Sequence, residues 1–212
     1  MNRSAVARRM ALCCRQLAAQ GLIAGRDGNL SVRIGPERAL VTPSGFIKSL
    51  VTPADMVEVN LSGKPVRRGS RKPTSELELH LRILRHRPDV RAVVHAHPPA
   101  ATGFAVAGET IPGNLLPELI FVVGPVALVP YGMSGTPELG DQVAPYLDAH
   151  DALLLANHGA VTMGRTLDEA WIRMESLEHG ARIILAARQV GQPQPLSREA
   201  VRALMQQREK DA

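Results

Sequence analysis

Aromatic side chains are scarce: three Phe, two Tyr and one Trp in 212 residues. So few rings cannot build the stacking platforms on which single-stranded nucleic acids are held. No apolar run approaches the ~18 residues of a membrane-spanning helix. The only two cysteines, Cys13 and Cys14, are adjacent, which offers neither a disulfide framework nor a CxxC metal knuckle and reads as buried thiols in a reducing compartment. The basic N-terminus, Met1 to Arg9, leads into Cys13, Cys14, Arg15 and Gln16. That is a helix pattern without the apolar stretch and cleavage site of a signal peptide. A cytoplasmic location follows, with no membrane partner. Internal repeats, low-complexity tracts and linkers are missing as well, so residues 1–212 read as one domain. The net charge of +5 and pI near 9.8 raise the question of nucleic acid, but the arginines are spread over several predicted helices. The densest cluster, Arg67-Arg68-Gly69-Ser70-Arg71-Lys72, is either a solvated loop or an electropositive approach to a site for small anions.

What is present is an interspersed set of helices and strands. The pattern predicts a helix from Ser4 to Gln20 stopping at Gly21, strands at Leu30–Ile34, Ala39–Thr42 and Met56–Asn60, and a turn at Leu61–Lys64. Ser75 with Glu78 three residues on forms a capping-box pattern at a helix start, and Pro88 stops that helix. Further strands are expected at Ala92–His97, Leu119–Val123, Val126–Pro130 and Ala152–Ala156. A long helix over Leu167–Gln189, capped by Thr166, and a tail helix over Ser197–Glu209 complete the reading. The strand spacing does not give regular βαβ units, which predicts a layered α/β domain with a mixed or antiparallel sheet covered by helices.

Chemistry concentrates in a few places. In Val93-Val94-His95-Ala96-His97, the two histidines sit two apart on a strand and share a face, a spacing at which two imidazoles can grip one metal ion. A third, His158, stands where an apolar strand meets the turn Asn157-His158-Gly159. Each histidine taken singly reads equally well as a packing residue; together they suggest a three-histidine site. Glu76 lies in the first turn of its helix, where a carboxylate complements the helix dipole for about 0.3–1 kcal/mol. Because Glu78 fits the capping position, Glu76 is free to serve as a further ligand that yields to substrate and acts as a base. His80 could pair with Glu76; it and His86, His150 and His179 read as core or surface residues. Three segments offer backbone N–H groups to an anion: Gly25–Ser31, which lacks both GxGxxG and a P-loop ending, Thr42–Gly45, and Thr74-Ser75 at a helix N-terminus.

Taken in order, Gly28-Asn29-Leu30-Ser31, Thr42-Pro43-Ser44-Gly45, Pro73-Thr74-Ser75-Glu76, Val94-His95-Ala96-His97, Pro130-Tyr131-Gly132 and Ala156-Asn157-His158-Gly159 resemble the class II aldolase/adducin family, its L-fuculose-1-phosphate aldolase branch above all. The resemblance runs from about residue 5 to 205. It implies a three-layer α/β/α sandwich around a largely antiparallel mixed sheet, and a homotetramer with active sites between subunits. It further implies Zn²⁺, or another divalent ion, on Glu76, His95, His97 and His158, with Glu76 as the catalytic proton carrier. Gly28, Asn29, Ser44, Gly45, Thr74 and Ser75 would hold the phosphate of a small phosphorylated sugar or keto acid. The implied reaction is cleavage of a sugar 1-phosphate, such as L-fuculose 1-phosphate, to dihydroxyacetone phosphate and an aldehyde through a metal-stabilised enediolate. Ile111–Glu118 departs from that branch in having no tyrosine; Glu118 stands in the segment instead. Same-fold decarboxylases, pentulose-phosphate 4-epimerases and methylthioribulose-phosphate dehydratases are the enzymatic alternatives. A non-catalytic adducin-like interaction module is the remaining one, and retention of all four candidate ligands argues against it.

Overall fold

Seven strands form one sheet in the computed structural model, which describes residues 2–67 and 69–211. They are β1 (Asn29–Gly35), β2 (Arg38–Val41), β3 (Val57–Asn60), β4 (Ala92–Ala96), β5 (Val126–Val129), β6 (Ala152–Leu155) and β7 (Gly159–Gly164), in the order β3-β2-β1-β4-β7-β6-β5. Every neighbouring pair is antiparallel except β5 and β6. That parallel pair needs a crossover, supplied through α4 (Pro137–Val143). The remaining helices are α1 (Arg3–Ala19), α2 (Leu77–His86), α3 (Pro99–Val106), α5 (Leu167–Val190) and α6 (Arg198–Asp211).

Strand alternation sorts the core into two apolar layers. Leu30, Val32, Val94, Ala96 and Leu154 face α1, α3 and α5, whereas Val41, Val93, Leu153, Val161 and Met163 face α2 and α4. Both faces of β4 and β6 are therefore buried, and these strands read as continuous apolar runs. The result is the expected α/β/α sandwich around a mixed, largely antiparallel sheet.

Several local expectations need correcting. Leu119–Val123 is a π-helical turn, not a strand: Leu119 packs on Gly180 of α5, and Gly124 ends the turn with φ +80°. The Ser75/Glu78 capping box does not form. Glu76 itself occupies the N-cap position of α2 without a side-chain cap, Glu78 pairs with Arg85, and Thr74 Oγ1 accepts from Glu76 N at 3.3 Å. The Thr166 cap of α5 does form, its hydroxyl accepting from Glu169 N at 3.1 Å. Three elements escaped the sequence reading: β7, α3 and α4. Both short helices begin at a proline, a residue suited to the first helical turn because its missing N–H would be unpaired there anyway.

Candidate metal centre and active site

The topology brings the candidate segments to one end of the sheet. Because β1 runs antiparallel to β2 and β4, the start of β1 (Asn29) lies beside the ends of β2 (Thr42) and β4 (His95). The turn between β6 and β7, with His158, and the loop after β5 reach the same end. Asn29 and His95 are direct cross-strand partners. Asn29, Ser31, His95 and His97 all point to the face that α2 covers.

Three imidazoles form a nearly equilateral triangle. Ring centroids of His95, His97 and His158 are 4.9, 4.8 and 5.0 Å apart, each pair edge-to-face. One nitrogen from each ring lies within 4.8 Å of the others. His95 Nδ1 donates to the Ala160 carbonyl at 2.9 Å. A carbonyl only accepts, so Nδ1 carries a proton and Nε2 faces the cluster, 3.1 Å from His97 Nε2. The Glu76 carboxylate closes the group, with Oε2 3.1 Å from His95 Nε2 and Oε1 3.2 Å from His158 Nε2. His158 Nδ1 is buried with no hydrogen-bond partner, so one ring nitrogen of this histidine is not satisfied by the protein. Three imidazoles and a displaceable carboxylate suit a divalent ion of the zinc type, and the residues present fit such an ion.

Two glycines make the geometry possible. Gly28 has φ +68°, and a Cβ there would lie 2.9 Å from the His95 carbonyl oxygen and 2.5 Å from Ile23. Gly159 leaves room for the Ala96 carbonyl and the His97 ring. Between β6 and β7, Asn157 adopts φ 56°, a left-handed conformation asparagine tolerates better than most residues. That turn delivers His158.

Burial alone would raise the Glu76 carboxyl, but His95, with hydrogen bonds from His158, His95 and Ser134, holds it well below the usual carboxylate range. Burial would lower His95; the Glu76 charge reverses this and raises it. His97 is pushed down to about 4 by burial, with His95 and His158 adding to the effect. His80 is pushed down to about 3, first by burial and then by His95, so it is neutral at ordinary pH.

The segments expected to bind an anion are tied to one another beside this centre. Thr42 N donates to Leu30 O, Thr74 N to Thr42 O, and Ser44 N to Lys72 O, at 3.0, 3.0 and 2.9 Å. Gly45 and Ser75 are exposed at the surface of these loops. The Lys48 ammonium is buried beneath them and donates to the carbonyls of Arg26 and Phe46 at 2.7 and 3.2 Å. Of the basic cluster, Arg71 pairs with Asp55 at 2.6 Å and lies over the Phe46 ring; Arg68 lies outside the described residues. The structure brings Gly28, Asn29, Ser44, Gly45, Thr74 and Ser75 to one neighbourhood. The Asn29 side chain, however, is engaged with Glu76 and His80 rather than turned to the loops.

Besides Lys48, two contributors were missed. Ser134, in the loop after β5, donates to Glu76 Oε1 at 2.6 Å, and Asp27 Oδ2 stands 3.7 Å from His97 Nδ1. Only the Gly-rich context of each hinted at a site, since both contacts are long-range. His80 is a core residue as expected, but a hydrogen-bonded one. His86 and His150 are engaged elsewhere, with Asp148 and the Tyr146 carbonyl. Among the described residues, no hydrogen bond or ion pair joins Glu118 to the centre. A cavity of about 990 Å³ around Arg87, Asp151, Arg173 and Arg208 opens at the opposite end of the sheet, and no candidate site residue lines it.

Comparison with known proteins agrees with this fold. The model of the class II aldolase and adducin N-terminal domain matches residues 8–185. The chain belongs to that family. L-fuculose phosphate aldolase of Methanococcus maripaludis is 34% identical over 170 residues, covering 80% of this chain and 91% of that one. The 5-methylthioribulose-1-phosphate/5-deoxyribulose-1-phosphate aldolase of Rhodospirillum rubrum is 35% identical over 192 residues, covering 91% and 86%. Among solved structures, Escherichia coli YgbL superposes with a TM-score of 0.89 at 26% identity, covering 97% of this chain and all of that one.

Proposed function

We propose that this protein is a metal-dependent class II aldolase that cleaves a ketose 1-phosphate to dihydroxyacetone phosphate and an aldehyde. The observation that carries the reading is the His95–His97–His158 triangle with the Glu76 carboxylate seated against two of its three rings. The aldolase names of the two relatives at 34% and 35% identity support the same class.

His95, His97 and His158 would hold the ion, zinc by the character of its donors, with Glu76 as a fourth ligand in the absence of substrate. Bound there, the ion supplies Lewis acidity to a carbonyl and an adjacent hydroxyl. The remaining work falls to the chain. The loops at Gly28, Ser44, Gly45, Thr74 and Ser75, backed by the Lys48 ammonium, hold the phosphate and thereby fix the reacting carbons, which is catalysis by positioning. Glu76, ionised and no longer needed as a ligand once substrate is seated, carries the proton. In the cleavage direction the C4 hydroxyl gives up its proton to solvent, the C3–C4 bond breaks as the C4 carbonyl of the departing aldehyde forms, the bonding pair stays on C3, and Glu76 delivers a proton there. In the synthetic direction it removes that proton.

The direct test is release of dihydroxyacetone phosphate from L-fuculose 1-phosphate and from 5-deoxyribulose 1-phosphate. The metal-loaded protein should cleave at least one of these, and Glu76→Gln should lose the activity while keeping its fold. Full activity in Glu76→Gln would refute the assignment.

A further inference from the structure

Glu76 occupies the N-cap of α2 with φ −96° and ψ 25°, outside the regular helix. Its carboxylate therefore depends on polar neighbours for its aim. Besides the imidazoles of His95 and His158, these are Ser134, on an exposed loop, and Asn29, buried at the start of β1, whose Nδ2 donates to Glu76 Oε2 at 2.7 Å. A carboxamide is nearly symmetric in shape, so nothing steric prevents Asn29 from turning over. Flipped, it would present Oδ1 to the carboxylate and leave two acceptors facing each other. Burial makes that arrangement costly.

The other side of Asn29 settles its orientation. His80, fully buried and one helical turn after Glu76, places Nε2 against Asn29 Oδ1 and Nδ1 2.8 Å from Ser31 Oγ. Because Asn29 Nδ2 faces a carboxylate, which only accepts, Oδ1 must be the acceptor for His80, and Nε2 must carry the proton. A neutral ring then has its lone pair on Nδ1, which accepts from the Ser31 hydroxyl. The chain Ser31 O–H to His80, His80 N–H to Asn29, Asn29 N–H to Glu76 runs in one direction, and each link fixes the next. Ser31 and Asn29, two apart on β1, offer their side chains to the same face.

We infer that His80 is a positioning residue for the reaction: acting through Asn29, it fixes the orientation of the Glu76 carboxylate that carries the proton. The inference rests on the aldolase reading for its kinetic consequence and on the hydrogen-bond chain alone for its geometry, and the two are tested separately.

Three forms of the metal-loaded protein are compared: wild type, His80→Leu, which removes the donor, and His80→Gln, whose side-chain amide can donate to Asn29 Oδ1. Kinetics of C3 proton exchange on dihydroxyacetone phosphate in D₂O are followed, with metal content and melting temperature measured alongside. His80→Leu should lose about 10- to 100-fold in kcat, the range typical of residues that orient a metal ligand, with KM and metal content little changed. His80→Gln should recover most of the loss. Equal rates for wild type and His80→Leu, or equal impairment of both folded variants, would overturn the inference. Ring ¹⁵N NMR on the wild type needs neither variant nor activity: a proton on His80 Nε2 supports the inference, and a ring protonated on Nδ1 alone refutes it. If the wild type itself shows no exchange, the aldolase reading fails, and the ring spectrum still decides the clamp.

Discussion

A Cβ placed on Gly159 would lie 2.6 Å from Cδ2 of the His97 ring and 2.6 Å from the Ala96 carbonyl oxygen. Gly159 opens β7 immediately after His158, so one glycine sets how closely two of the three imidazoles approach. Gly159→Ala must push the His97 ring or the strand end aside. Overpacking of this kind costs about 1–3 kcal/mol, and the displaced ring should weaken metal retention. Melting temperature and metal content per chain, measured together, check this; an alanine variant with wild-type values of both would contradict it.

The three histidines differ in what supports them from behind. His95 leans on the Ala160 carbonyl, whereas His97 Nδ1 faces Asp27 at 3.7 Å. A carboxylate this near an imidazole raises its basicity through its charge. Asp27→Asn should therefore release zinc to a competing chelator about tenfold more readily with the melting temperature of the metal-free protein unchanged. Equal chelator competition by the two proteins would exclude this role.

Lys48 holds the Arg26 and Phe46 carbonyls together under the loops proposed to hold the phosphate. Lys48→Met keeps the apolar stem and removes the ammonium. Hydrogen bonds to a charged group are worth about 1.5–3 kcal/mol, so affinity for dihydroxyacetone phosphate should fall by roughly an order of magnitude or more, while the histidine centre keeps its metal. Calorimetric titration with that phosphate distinguishes this from an unchanged site.

Cys13 and Cys14 are free and buried in α1. Burial pushes the Cys14 thiol up to about 12 and Cys13 higher still, so neither forms the reactive thiolate at pH 8. The native protein should resist a thiol-specific disulfide reagent at that pH, and both cysteines should react once denatured. Rapid labelling of the folded protein would show that α1 opens.

The site was legible where chemistry follows local spacing. His95 and His97 alternate on a strand, His158 stands at a strand-to-glycine turn, and Glu76 precedes an amphipathic helix. Legibility failed where partners come from afar. Ser134 and Asp27 reach the centre from separate loops, and nothing in their own neighbourhoods specifies a carboxylate or an imidazole opposite. The fold shows the same division. Leu119–Val123 has the composition of a strand, and packing on Gly180 of α5 makes it a π-helical turn instead. The helix that starts at Pro99 is hard to see in the sequence because two adjacent prolines also suit the end of a strand. Its leading amides are satisfied by the buried Glu178, which accepts from Ala100 N and Ala101 N, a partner 77 and 78 residues away in sequence.

In the proposed reaction Glu76 moves a proton at the carbon next to the carbonyl of dihydroxyacetone phosphate, beside a metal held by His95, His97 and His158. Proton NMR of dihydroxyacetone phosphate in D₂O with the zinc-loaded protein tests it without knowledge of the aldehyde. One C3 proton signal should be lost, and a chelator or Glu76→Gln should prevent the loss. Persistence of the full signal with folded, metal-loaded protein would contradict it and turn attention to a decarboxylase, epimerase or dehydratase on the same scaffold.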